Sequence, residues 1–283
     1  RLTEKRLTSA QIKKGLADMP LIDVNETQLF VEEFGEGDEA ILCLHALFFD
    51  GRMYANQIDV LSKHFRCITL DWRGQGRSAK PIGGYDVDNL CHDILGVMVH
   101  FGLARCHILG MSVGGVCGIR LAALYPEKVG KLAVGGASAE SEPIEKVVKY
   151  ERLLLEEFAV DTAGPVDALM TILYGAPFLN NPDNEDRIAS ERARIMDNDG
   201  AAVARASAPI LRRVDIRHML PHVQSKTLVF VGELDGANPP EKARTIAGGI
   251  TSAQLDIMPG IGHQPNVEAA EELSLKLLRF FSS

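Results

Sequence analysis

The chain has 283 residues, enough for one large α/β domain or two smaller ones around a sizeable core. Its composition, 46% hydrophobic and 24% charged, is that of an ordinary water-soluble globular protein, and no apolar run is long enough to span a bilayer. A net charge of −8 speaks against nucleic acid or an anionic membrane as partner, because nothing would offset phosphate repulsion. The segment Arg1 to Lys14 is polar and basic, without the apolar stretch of a secretory signal. Five cysteines (Cys43, Cys67, Cys91, Cys106, Cys117) are an odd number in apolar surroundings with no Cys-x-x-Cys pair. They read as reduced core thiols of a cytoplasmic protein, neither a disulfide frame nor a zinc site.

Short β-rich runs then alternate with helical patterns. Leu29-Phe30-Val31 and Ala40 to Leu44 read as strands, a helix follows from about Met53 to Lys63, and Cys67 to Leu70 is the next strand. A helix over Val87 to Phe101 leads to the strand Cys106 to Leu109, the helix Val113 to Leu124 and the strand Lys131 to Val134. Beyond a long interval come the strand Thr227 to Val231, the helix Pro239 to Ala247, the strand Gln254 to Met258 and a last helix, Val267 to Phe281. Several strands are continuously apolar, as parallel strands covered on both faces are. The alternation predicts an α/β fold, a mostly parallel doubly wound sheet with its site at the carboxyl ends of the strands. It breaks between about Ser138 and Val223, where helical patterns are punctuated by Gly164-Pro165, Gly175-Ala176-Pro177 and Asn180-Asn181-Pro182. The predicted division is a core of residues 1–137 and 224–283 with a helical cap, 138–223, over the strand tips. Phe158, Leu169, Met170, Leu173, Tyr174 and Phe178 divide between packing and pocket wall.

Gly110-Met111-Ser112-Val113-Gly114 lies between a strand and a helix. Such a turn leaves the serine hydroxyl exposed at its tip, and its glycines avoid backbone collisions that a Cβ would create. A serine needs a base, and the base needs an orienting group. Asp235, in Gly232-Glu233-Leu234-Asp235, follows a buried strand; Glu233 is the competing acid, and a turn or N-cap role the plainer reading of Asp235. His263 sits on the glycine-rich loop Pro259-Gly260-Ile261-Gly262-His263, whereas His64, His92, His100, His218 and His222 lie in helical or connecting segments. The backbone N–H groups of Val113 and of Leu47, in His45-Ala46-Leu47-Phe48-Phe49, are the candidate oxyanion donors. Phe48 and Phe49 suit an acyl pocket or an aromatic core equally, and Phe48, Met111 and Tyr174 are the candidate substrate contacts. Asp71 to Ser78 reads as a tight loop in which Asp71 and Arg73 tie neighbouring loops together.

These motifs resemble the α/β-hydrolase superfamily over nearly all of Leu29 to Phe281: His45-Ala46-Leu47, Asp71-x-Arg73-Gly74-x-Gly76-x-Ser78, Gly110-x-Ser112-x-Gly114-Gly115, Gly232-x-x-Asp235 and Gly262-His263. The order Ser, Asp, His is the superfamily's. The chain is most similar to the 3-oxoadipate enol-lactonase and small esterase group, through Leu61 to Arg66, the Asp71 loop and Gly110 to Gly115. The resemblance implies an α/β-hydrolase fold with the cap inserted after the sixth strand. It also implies ester or lactone hydrolysis through an acyl-serine, with no metal and no cofactor, on a small-molecule substrate; a homo-oligomer is left open. Ala46 stands where many members carry glycine, and Arg192 and Arg194 are unsupported candidates for binding a substrate carboxylate. Carbon–carbon bond hydrolases and haloperoxidase-type perhydrolases share the triad, although the former usually carry an aromatic residue where this chain has Gln264-Pro265. A small-molecule receptor on the same scaffold is the alternative of another class.

Overall fold

The computed structural model describes residues 21–283; the reading of Arg1 to Lys14 lies outside the described residues. Eight strands form one sheet: β1 (Leu21–Val24), β2 (Thr27–Phe34), β3 (Ala40–Leu44), β4 (Arg66–Leu70), β5 (Cys106–Met111), β6 (Val129–Gly135), β7 (Lys226–Gly232) and β8 (Ala253–Met258). Their spatial order is β1-β2-β4-β3-β5-β6-β7-β8. β1 and β2 pair antiparallel, as do β2 and β4, and every later pairing is parallel. The expected α/β-hydrolase architecture is what the chain adopts. β1 has no counterpart in the sequence reading, because four residues with two exposed side chains carry too little alternation to stand out.

The helices of the core are α1 (Ala55–Leu61), α2 (Val87–His100) and α3 (Val113–Leu124). Those between β6 and β7 are α4 (Ile144–Glu151), α5 (Val166–Leu173), α6 (Ala176–Leu179), α7 (Glu185–Met196) and α8 (Gly200–Leu211), with a π-helical stretch, Arg152–Phe158, after α4. α9 (Pro240–Gly249), α10 (Pro265–Glu268) and α11 (Ala270–Ser282) complete the chain. The helix expected over Val267 to Phe281 is therefore two. Ala269, at φ −131° and ψ 47°, leaves helical geometry between α10 and α11.

Apolar side chains pack on both faces of the sheet. α2, α3 and α9 cover one face through Ile94, Val97, Ile119, Leu121 and Ile246; α1 and α11 cover the other through Leu61, Leu277 and Phe281. All five cysteines are buried and unpaired, and burial pushes the Cys67 and Cys106 thiols up to about 12. The two ends of the helical insertion meet where Ile216 N donates to Ala139 O at 2.8 Å. Among the described residues no helix is long and apolar enough to cross a membrane.

Candidate active site

Ser112 stands between β5 and α3, flanked by the tips of β3 and β6. Its backbone takes φ 52° and ψ −114°, a region costly for any residue with a side chain. The glycines explain how the turn closes. A Cβ on Gly114 would lie 2.1 Å from Leu44 O on β3, and one on Gly110 would lie 2.4 Å from Gly114 O. Serine at a helix N-cap usually accepts from the first-turn amides, but Ser112 makes no such bond. Both the hydroxyl and the helix N-terminus are left available.

Asp235 follows β7 and His263 follows β8, and the two side chains meet. His263 Nδ1 lies 2.7 Å from Asp235 Oδ2, with both residues buried. Asp235 Oδ1 accepts from Ala237 N at 2.9 Å and Asn238 N at 2.7 Å, so the carboxylate is held at both oxygens. One residue thus both closes the turn and meets the imidazole. Glu233 accepts instead from Gly260 N, at 2.9 Å, on the exposed side of the loop. With Nδ1 occupied, Nε2 is the ring nitrogen left free. Among the described residues no hydrogen bond joins Ser112 Oγ to the imidazole, but both residues line one cavity. Such contacts commonly tighten only when substrate is bound.

The loop after β3 carries Leu47, and its shape is set by buried polar contacts. His45 Nε2 accepts from Trp72 N at 2.7 Å, so Nδ1 carries the proton and donates to Ala46 O at 2.7 Å. Burial holds the His45 pKa below its ordinary value, consistent with a neutral ring. Gln75 Oε1 accepts from Phe48 N at 2.8 Å. Phe48 rather than Ala46 takes the left-handed φ, 73°, so alanine in place of the expected glycine costs no backbone strain. Among the described residues neither Leu47 N nor Val113 N makes a hydrogen bond, as oxyanion donors require. The Asp71 loop ties its neighbours as expected: Asp71 accepts from Gly51 N and Arg77 N, and Arg73 pairs with buried Asp93.

The cavity above Ser112 has a volume of about 110 Å³, small even for a metabolite site. Leu47, Phe48 and Val113 line it from the core, and Leu154, Leu169 and Leu173 from the inserted helices. Two expected substrate contacts do not. Met111 is wholly buried in the sheet, because the residue before the elbow still alternates into the core. Tyr174 stacks on Phe178 and donates its hydroxyl to Glu191 at 2.7 Å. Arg192 and Arg194 pair with Asp167 and Glu191, and neither lines the cavity.

Residues 39–270 match the family described as alpha/beta hydrolase fold. The chain belongs to that family. The hydrolase is 30% identical over 247 residues to a Rhizobium rhizogenes protein named "Putative carbamate hydrolase RutD", covering 86% of this chain and 92% of the relative. Among solved structures it resembles the enol-lactonase from Burkholderia xenovorans, at 27% identity and a TM-score of 0.86, over 93% of this chain and all of the other. A thermophilic esterase from Thermogutta terrifontis shares the fold, with TM-score 0.86 and 24% identity over 93% of this chain and 98% of that one.

One part of the hydrolase cavity went unseen in the sequence. Glu142, Lys146, Tyr150, Arg213 and Asn238 form its polar end. The Glu142 carboxylate accepts from Arg213 Nη2 at 2.7 Å and pairs with Lys146 Nζ at 2.9 Å and Lys242 Nζ at 3.0 Å. The signal available was Glu142 and Lys146 at i, i+4, which reads as an ordinary surface pair. Arg213 joins from the far end of the insertion, which no local spacing reveals. Burial opposes ionisation of Glu142, but Arg213 and Lys146 outweigh it and bring the carboxyl down from 4.5 to about 2. A carboxyl lowered on folding stabilises above its unfolded value and loses that contribution as pH falls from about 4.5 to 2. The side chain is only 4% exposed, so the effect is little screened and amounts to roughly 3 kcal/mol. The gap in urea unfolding free energy between the native chain and Glu142→Gln is expected to be of that order at pH 6, roughly 3 kcal/mol, and to narrow below pH 4.5. A gap that does not change with pH would mean that folding leaves the Glu142 carboxyl at its unfolded value.

Proposed function

We propose that this hydrolase cleaves a small carboxylic ester or lactone through an acyl-serine intermediate. The observation that carries the reading is the His263–Asp235 pair at 2.7 Å, beside Ser112 in one small cavity roofed by the inserted helices as a cap. Ser112 Oγ attacks the carbonyl carbon while His263 Nε2 takes its proton. Asp235 holds Nδ1 protonated and stabilises the imidazolium. The N–H groups of Leu47 and Val113 receive the oxyanion. Collapse of the tetrahedral intermediate breaks the acyl–oxygen bond, and His263 returns the proton to the departing alkoxide, which stays tethered when the substrate is a lactone. Water then attacks the acyl-serine with His263 again as base, releasing the carboxylic acid and restoring Ser112. The relatives' names, a carbamate hydrolase and an enol-lactonase, describe chemistry at an acyl carbon of the same kind.

The polar end shapes which acyl group fits. Arg213 and Lys146 line that end and, with Lys242 behind them, surround one carboxylate, so the cluster carries surplus positive charge beside a mostly apolar wall. A short substrate bearing a second, anionic group complements that field better than a neutral one of equal size. The test is quenched-flow mass spectrometry with a panel of lactones and p-nitrophenyl esters, neutral and singly anionic. An acyl adduct on the peptide containing Ser112 is expected, with the higher kcat/KM for the anionic member of each matched pair. Turnover without any adduct, or an adduct on another residue, refutes the acyl-serine route.

A further inference from the structure

Glu268, the last residue of α10, sends its carboxylate back to the loop that carries His263. Oε2 accepts from Gly262 N at 2.9 Å and Oε1 from Gln264 N at 3.1 Å, the residues on either side of His263. Oε2 also accepts from Gly175 N, at 2.8 Å, at the corner between α5 and α6. The same corner holds His263 directly, since His263 N donates to Leu173 O at 2.9 Å. Contact is close enough to exclude side chains: a Cβ on Gly262 would sit 2.3 Å from Gly175 N, and one on Gly175 would sit 3.0 Å from Gly262 N. One carboxylate and one carbonyl therefore join the His263 loop to the inserted helices through four backbone amides. Burial raises the Glu268 carboxyl pKa, and the amide donors and His263 oppose that rise.

We propose that Glu268 is a positioning residue for His263, clamping the backbone on both sides of the imidazole to the α5–α6 corner so that the base and the inserted helices move as one unit. The substrate wall contributed by Leu169 and Leu173 is then in register with the base, because α5 ends in the carbonyl that holds His263. The proposal rests on the assignment of His263 as the base. It differs from a stabilising role in what it predicts: loss of the clamp affects the chemical step and the His263–Asp235 hydrogen bond, and leaves substrate affinity alone.

Glu268→Gln keeps one acceptor oxygen, which suffices for Gly175 and Gly262, but turns an NH2 group towards the Gln264 amide. Glu268→Ala removes both acceptor oxygens and with them all three hydrogen bonds. Misplacing a group that orients a reactive side chain typically costs about 10- to 100-fold, so kcat is expected to fall about tenfold in the first variant and about a hundredfold in the second. KM should stay within about twofold, as for an interaction used in the transition state rather than in binding. In proton NMR, the downfield His263 Nδ1–H resonance expected from a 2.7 Å bond to Asp235 should shift upfield or broaden in both variants. Wild-type kcat in Glu268→Gln, a change in KM alone, or reduced kcat with an unmoved resonance overturns the proposal. If Glu268→Ala does not fold, Glu268→Gln decides by the same criteria. Should the native chain neither turn over esters nor acylate at Ser112, the functional reading fails, while the resonance in Glu268→Gln still tests the clamp.

Discussion

Replacing Ser112 with alanine is expected to lower kcat/KM for p-nitrophenyl acetate by about three orders of magnitude or more, with the far-UV circular dichroism spectrum unchanged. The size follows from what remains. Leu47 N, Val113 N and the cavity would still bind and polarise the carbonyl, but no covalent route would be left and water would have to attack unaided. The strained backbone provides a second, independent readout. At φ 52° and ψ −114° both serine and alanine pay for their Cβ, whereas glycine adopts left-handed geometry freely. Ser112→Gly should therefore be inactive yet more stable than Ser112→Ala, by about 1 kcal/mol in urea unfolding. Activity within tenfold of the native chain in either variant would remove Ser112 from the chemistry. A glycine variant no more stable than the alanine one would show that the turn stores no strain.

How far the fold and site could be read from the sequence depended on whether the signal was local. Residues Ala40–Leu44 and Cys106–Met111 are apolar without interruption because they lie mid-sheet, covered on both faces, and such runs stand out. Gly110, Ser112 and Gly114 announce their turn because each glycine answers a specific steric demand within a few residues or on the adjacent strand. Asp235 and His263 were legible since both follow strong strand signals on short loops. The cavity's polar end was not, since Glu142 and Arg213 stand 71 residues apart and meet only when the insertion closes on itself at Ala139 and Ile216. Glu268 falls within Val267 to Phe281, a stretch whose pattern reads as one helix. Only the break at Ala269 shows that α10 is a separate turn whose last side chain folds back towards His263. Met111 and Tyr174 do not line the cavity for the opposite reason: proximity in sequence to the elbow, or to the insertion's apolar patches, does not say which way a side chain points.

Asp235→Asn is the sharper test of the imidazole's role, because the structure dictates how the new amide must lie. Oδ1 of Asp235 accepts from the amides of both Ala237 and Asn238, so the asparagine oxygen is required there and its NH2 is forced towards His263 Nδ1. Two donors cannot face each other. His263 must then accept at Nδ1 and carry its proton on Nε2, the tautomer that cannot take a proton from Ser112. Holding the wrong tautomer in otherwise intact geometry costs about 10⁴-fold in kcat for this type of arrangement. The expected result at pH 7 is therefore a loss of about that size, roughly 10⁴-fold, with unchanged thermal stability. Nitrogen-15 NMR should show the His263 proton moved from Nδ1 to Nε2. Activity within tenfold of the native chain, or a proton still on Nδ1, would show that Asp235 does not set the state of the base and that the 2.7 Å contact only packs the loop.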